Sequence, residues 1–303
     1  MKQAGWRALP ATVKLASMGL RRPGWGTLAC GLALVALFWP LNWMLESTHV
    51  LFFPLWLGYV LAVDGLVRLR TSTSLLARAP RTFVALFPLS VPSWWLFEAF
   101  NERLHNWEYL GAERFSDLEY FLYASLSFST VVPAVFESAE LVRSFAFVER
   151  FARGPRFPRS GASAGYRAAL VALGLALTAA TLLWPRQCFP FVWMGPVFVL
   201  EALCLRLGRR CFTDELQRGD WRTWMALWLG GLLCGFFWEM WNLWSFPKWI
   251  YHVPYVGFWK VFEMPILGYL GYLPFAMELF LMAQLALPRE RGIPLAPQRE
   301  VSS

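Results

Sequence analysis

Two short stretches hold the residues best suited to chemistry. They are Phe97-Glu98-Ala99-Phe100-Asn101 and Trp238-Glu239-Met240-Trp241-Asn242. Each places a Glu and an Asn three residues apart, on one face of a helix, with an aromatic stripe adjoining. Each acid ends a long apolar run, where a carboxylate is costly and marks a functional site. The Asn is placed to hydrogen-bond the Glu and fix its rotamer. Burial among aromatics disfavours the ionised carboxylate, so the Glu is kept as a proton donor. Aromatic faces nearby stabilise a cation. These are the parts needed to protonate an olefin or epoxide and to guide the carbocation. Glu98 and Glu239 are the expected acids and Asn101 and Asn242 their orienters. Phe97, Phe100, Trp107, Tyr109, Trp238, Trp241, Trp249 and Tyr251 are the expected substrate wall. The competing structural reading is a Glu–Asn pair that joins two helices beside interfacial tryptophans. Recurrence of acid, amide and aromatics favours function.

Other acids are secondary. Glu137 and Glu278 each follow a proline, Pro133 or Pro274, by four residues, and could supply a second acid or base, or simply sit in a bent helix. Glu119 and Glu263 are expected to open helices, where the dipole favours them, and could also reach substrate. Asp64 and Glu201 lie near Arg68, Arg70 and Arg206 and read as salt-bridged structural acids. His49, His105 and His252 have no ligand spacing beyond Glu46-x-x-His49, so no metal is expected. No Gly-rich phosphate loop, His-Glu-x-x-His or Asp-rich diphosphate motif occurs, and no cofactor is implied.

The elements that must position these residues are apolar. Of 303 residues, 57% are hydrophobic and 16% charged, against about 25% charged in soluble domains. Mean hydropathy is +0.42. Eight apolar runs, near 26–45, 50–69, 82–102, 118–145, 167–185, 189–207, 223–244 and 261–287, read as membrane spans. Of 28 Lys and Arg, only Arg103, Arg114, Arg186, Lys248 and Lys260 fall in the loops of one side. That asymmetry places both termini in the cytoplasm, with the chain in a bacterial inner membrane, and accounts for the net charge of +8 without a nucleic-acid partner. The five cysteines form no metal, redox or disulfide pattern.

The halves echo each other in order. Trp39-Pro40 matches Trp184-Pro185, and Trp56-x-Gly58 with Asp64 matches Trp193-x-Gly195 with Glu201. The two acid stretches follow, then Trp107-x-Tyr109 and Trp249-x-Tyr251, then Pro133…Glu137 and Pro274…Glu278. The expected fold is an all-α integral membrane protein of eight transmembrane helices in two tandem four-helix repeats. Its divisions are a basic interfacial segment 1–25, repeat 1 over 26–146, a basic cytoplasmic linker 147–166, repeat 2 over 167–288, and a tail 289–303. An even number of spans per unit relates the halves by an axis along the membrane normal.

One order of motifs resembles the membrane lycopene cyclase domains of carotenoid synthesis. It runs from Glu239 through Trp249-Ile250-Tyr251 and Gly257 to Glu263-Met264-Pro265, with Glu98, Trp107-Glu108-Tyr109, Gly111 and Glu119 in the first half. Trp238-Glu239 is also similar to the Trp-Glu motif of fungal membrane terpene cyclases. The resemblance implies protonation of a polyene or epoxide by acids, without redox change or metal. The expected function is thus an isoprenoid or carotenoid-like lipid cyclase or isomerase. The alternative is a transporter or binding protein for a lipid or small amphiphile. The expected partner is a membrane lipid or isoprenoid substrate, and a homo-oligomer is compatible with this reading.

Overall fold

A computed structural model describes residues 23–45, 49–158 and 163–288. Most of the basic segment 1–25, the linker residues 159–162 and the tail from 289 lie outside the described residues. Each of the eight apolar runs carries a helix, the last of them after a short strand pair. The helices are α1 (Trp25–Met44), α2 (Phe52–Thr71), α3 (Leu75–Arg78), α4 (Pro80–Leu104), α5 (Asp117–Phe128) and α6 (Val131–Arg143), then α7 (Ala164–Leu183), α8 (Pro185–Cys188), α9 (Gly195–Arg206), α10 (Phe212–Arg218), α11 (Arg222–Asn242) and α12 (Tyr272–Ala286). Among the described residues, seven helical stretches are long and apolar enough to cross a membrane: α1, α2, α4, α5 with α6, α7, α8 through α9, and 266–286. The chain is an all-α, multi-pass membrane protein in its architecture. The 21 residues of α11 are not among the seven, and the helix packs between α6 and α12.

Small residues set the closest approaches. A Cβ on Gly31 of α1 would stand 2.2 Å from the Ala62 nitrogen of α2, and one on Gly65 would stand 2.3 Å from the Leu28 nitrogen. The two backbones touch there because neither glycine carries a side chain. The α7–α9 pair uses Gly174 against Gly195 in the same way, and α6 meets α11 at Ala139 and Gly230.

Two expected helix starts differ in detail. The span near 118–145 breaks at Ser129–Thr130. The Ser90 hydroxyl bridges the break, donating to the Phe128 carbonyl at 2.5 Å and accepting from the Val132 N–H at 3.0 Å. The last span starts as a helix at Tyr272, after a 3₁₀ stretch Ile266–Gly271. Pro133 and Pro274 therefore stand in the first turns of α6 and α12. An N–H has no intrahelical partner at that position, so neither proline bends a helix interior. Glu263 does not open a helix. It lies in the turn between β3 (Lys260–Val261) and β4 (Met264–Pro265).

The C-terminal ends of α4 and α11 are joined by two strands. β1 (Trp107–Leu110) and β2 (Lys248–Tyr251) pair antiparallel, with Trp107 opposite Tyr251, Glu108 opposite Ile250 and Tyr109 opposite Trp249. At the other end, Asp64 accepts from the Ser74 hydroxyl and the Leu76 N–H, both at 2.9 Å, and Glu201 from the Phe212 and Thr213 N–H groups at 3.1 and 2.6 Å. Both acids satisfy the N-terminal turns of short helices, α3 and α10, where the expectation was salt bridges. Arg78 pairs with Glu140. The start of the linker is docked, not free. A 3₁₀ stretch Ala146–Arg153 packs on α11, and Phe151 O accepts from Trp221 N at 2.9 Å. Glu149 bridges Arg143 and Arg222.

Candidate functional site

The site begins with the two asparagines. Helix α4 ends with His105 in the left-handed region, φ 53°, which turns the chain back toward Asn101. The Asn101 Oδ1 accepts from the Asn106 and Trp107 N–H groups at 2.9 and 3.2 Å, and Nδ2 donates to the Trp107 carbonyl at 2.7 Å. Asn242 treats Trp249 the same way, accepting its N–H at 2.9 Å and donating to its carbonyl at 2.7 Å. Each amide thus grips the strand that follows it and makes no hydrogen bond to its Glu. This corrects the expected Glu–Asn pair. The asparagines position the strand, and the strand holds the acid.

Alternate residues of a strand share a face. Trp107 and Tyr109 therefore reach back together to Glu98, and Tyr251 reaches Glu239. The Glu98 Oε1 accepts from the Tyr109 hydroxyl at 2.6 Å, Trp94 Nε1 at 2.8 Å and Trp107 Nε1 at 3.2 Å. The Glu239 Oε1 accepts from two phenols, Tyr251 and Tyr272, each at 2.7 Å, and Trp249 Nε1 supports Tyr251 at 2.9 Å. Glu239 is fully buried, and its Oε2 has no hydrogen-bond partner. Burial, then the neighbouring carboxylate, pushes Tyr109 and Tyr251 well above the usual phenol range, so both stay protonated donors at neutral pH.

These donors open on a chamber of about 130 Å³. Its wall includes Tyr109, Tyr251 and Tyr272 and five indoles, Trp94, Trp107, Trp193, Trp238 and Trp249. Trp94 and Trp238 stack across the two halves at 5.4 Å. The carboxylates sit one layer behind the wall; their hydrogen-bond donors face the cavity. No family model, curated protein or solved structure matches the chain. Chemistry is therefore read from the chamber itself: buried carboxyls, phenol donors and aromatic faces around a small apolar space.

The remaining expected residues divide clearly. Trp107, Tyr109, Trp238, Trp249 and Tyr251 line the chamber. Phe97 lies behind it, stacked on Trp193 at 4.8 Å. Trp241 is buried beside Trp56, and its carbonyl accepts from Asn42 Nδ2 at 3.1 Å. Phe100 packs on the core. Glu119 is exposed and closes a capping box with Ser116, and Glu263 pairs with Lys248 at 2.5 Å. Neither belongs to the chamber wall. Glu137 and Glu278 are fully buried without a hydrogen bond to any carboxylate oxygen, and they too are outside that wall. His49 lies at the chamber, against Phe115 and Tyr123. His252 pairs with Glu108 at 2.9 Å. Glu46 is outside the described residues. Among the described residues no three His, Cys, Asp or Glu side chains gather as metal ligands.

Sequence reading missed Tyr272 and Trp94, and took Trp193 as a mark of the repeat and not as part of the wall. Trp94 stands one helical turn before Glu98, a spacing that could have flagged it. Tyr272 comes from another helix, 33 residues beyond Glu239, and nothing local marks it.

Proposed function

We propose that the protein is an isoprenoid-lipid cyclase or isomerase that works by intramembrane acid–base chemistry. The carrying observation is the Glu239 carboxyl, with two phenol hydroxyls on Oε1 and none on Oε2, behind an indole-walled chamber. Glu239 supplies the proton by way of a chamber-lining phenol: Tyr251 or Tyr272 gives its hydroxyl proton to a carbon of a substrate double bond, or to an epoxide oxygen, and regains one from the Glu239 carboxyl. The phenols on Oε1 stabilise the carboxylate left behind, as donors aimed at developing negative charge do. The carbocation is held by indole faces. A second double bond attacks it, a ring C–C bond forms, and a neighbouring carbon loses its proton to Glu98 by way of the Tyr109 hydroxyl, which lines the chamber. Substrate and product are isomers, so no oxidant or reductant is consumed. Two carboxyls in unlike surroundings taking opposite roles is a recurring acid–base arrangement.

In the same reading the chain crosses a bacterial inner membrane eight times, as two four-helix repeats with both termini cytoplasmic. Support comes from packing that recurs across the halves. The α1–α2 pair corresponds to α7–α9, and both asparagines hold the tryptophan of a Trp-x-Tyr strand. Trp56 packs on Trp238 of the second half at 5.3 Å, as Trp193 packs on Phe97 of the first at 4.8 Å. The antiparallel β1–β2 pair fits a two-fold axis along the membrane normal.

The test compares extracted lipids of cells with the wild-type chain, with Glu239→Gln and without the protein. A polyene that disappears, with an isomer of equal mass appearing only with wild type, is the expected result. Glu239→Gln should lower turnover by about 10²-fold or more while the purified protein keeps its helical circular dichroism. Wild-type turnover in that variant, or lipids that differ among the three by movement between leaflets and not by structure, would overturn the reading.

A further inference from the structure

A second cavity of about 750 Å³ lies beside the chamber, bounded by α7, α9, α10, α11 and α12. Its wall is almost wholly hydrocarbon and aromatic, including Leu170, Val197, Phe198, Trp228, Leu273 and Met277. It shares Trp193, Gly268 and Gly271 with the acid chamber, so the two spaces meet around one indole. From Met194 to Glu201 it follows α9 for two turns, roughly 10 Å of rise. It continues to Phe212 and Thr213 at the start of α10.

The volumes decide what this groove is for. Pockets that enclose small molecules measure about 300–1,000 Å³. The chamber, at about 130 Å³, is too small for a whole lipid and admits only its reacting end. The groove, at about 750 Å³, falls inside that range and begins where the chamber ends. Two matching positions of the first half are closed off. Trp56 and Val132 are 1% exposed, whereas Trp193 and Leu273, which hold their places in the second half, are half-buried and line the groove.

We infer that the groove holds the hydrocarbon tail, one chain wide, of the molecule whose reacting end occupies the acid chamber. The inference rests on the acid-chamber reading for which end enters where. It assigns the tail to the second half alone, and makes Trp193 the post around which the chain bends. Gly271 gives that post its room: a Cβ there would stand 3.2 Å from the Trp193 Nε1.

Photolabelling of the full chain in lipid nanodiscs tests the assignment. The probes are geranylgeraniol and hexadecanol, each with a diazirine at the end far from the hydroxyl. Saturable labelling of Met194–Glu201 and Leu273–Met277 is expected, displaced by excess unlabelled alcohol. Two plugs, Val197→Trp and Leu273→Trp, should each cut it about tenfold by filling the space. Val84→Trp, on an outward position 62% exposed, should leave it unchanged. Labelling by geranylgeraniol alone assigns the tail to an isoprenoid, and equal labelling by both assigns it to any long chain; either result supports the groove. Unsaturable labelling spread equally over α1 and the groove, or labelling that survives both plugs in variants with wild-type melting curves, overturns it. Normal turnover in Glu239→Gln with intact groove labelling would fail the acid chemistry and leave the groove standing. Lost turnover with no groove labelling would do the reverse.

Discussion

Tyr272 is the residue that makes the two acid sites unequal. In the aligned halves its place is taken by Val131, so Glu98 has no second phenol and recruits the Trp94 and Trp107 indoles instead. A phenol donates a stronger hydrogen bond than an indole and stands here between the carboxyl and the chamber. Tyr272→Phe should therefore slow conversion by roughly 10²-fold, as loss of a single oxyanion donor does, with the apparent substrate affinity little changed. Steady-state kinetics on the lipid substrate reads this directly; a change in affinity alone would return Tyr272 to the wall. Much at this scale was legible in the sequence. Glu98, Glu239, Trp107, Tyr109, Trp249 and Tyr251 were all picked out by recurrence. Their bonds were not. The three-residue spacing puts Asn101 beside Glu98 on an ideal helix, but Asn101 stands in the last turn, where the returning backbone offers unpaired N–H groups. Those donors capture its carbonyl oxygen.

At the scale of elements, hydropathy located every long helix, because an apolar run in lipid must satisfy its own backbone. It could not place the interruptions. The break at Ser129–Thr130 depends on Ser90 from another helix, and the late start of α12 depends on the β3–β4 turn. What a single run also hides is which of its faces meets a neighbour's backbone. Gly31 is such a position. Gly31→Val should force α1 away from α2 and cost on the order of 1–3 kcal/mol. Gly26→Val on the same helix, where an added Cβ meets nothing within 4 Å, should cost far less. Thermal unfolding of the two purified variants in one detergent makes the comparison. Equal midpoints would mean that the α1–α2 contact carries no stability.

For the whole molecule, the basic residues give the sharpest expectation. Arg68, Arg70, Arg143, Arg206 and Arg222 cluster at one end of the helices, and Arg103, Arg114, Arg186, Lys248 and Lys260 are the sparse cations of the other. Reporter fusions after residue 158 and after residue 288 should both be active in the cytoplasm, since Lys and Arg concentrate there. An outward-facing reporter at either point would remove an odd number of spans from the proposed topology. The closing of the two halves on each other could not be read from the chain, because it joins residues far apart in sequence: α6 packs on α11, and a four-residue ladder pairs Trp107–Leu110 with Lys248–Tyr251. That ladder acts as an interlock. The residues that reach the acids are Trp107 and Tyr109 on one strand and Tyr251 on the other. A slip of one residue reverses the faces of a strand. Such a slip in β1 would present Glu108 to Glu98, and one in β2 would present Ile250 to Glu239. Since, among the described residues, each strand is the other's only ladder partner, neither strand can slip without disturbing the frame that arms the other's acid.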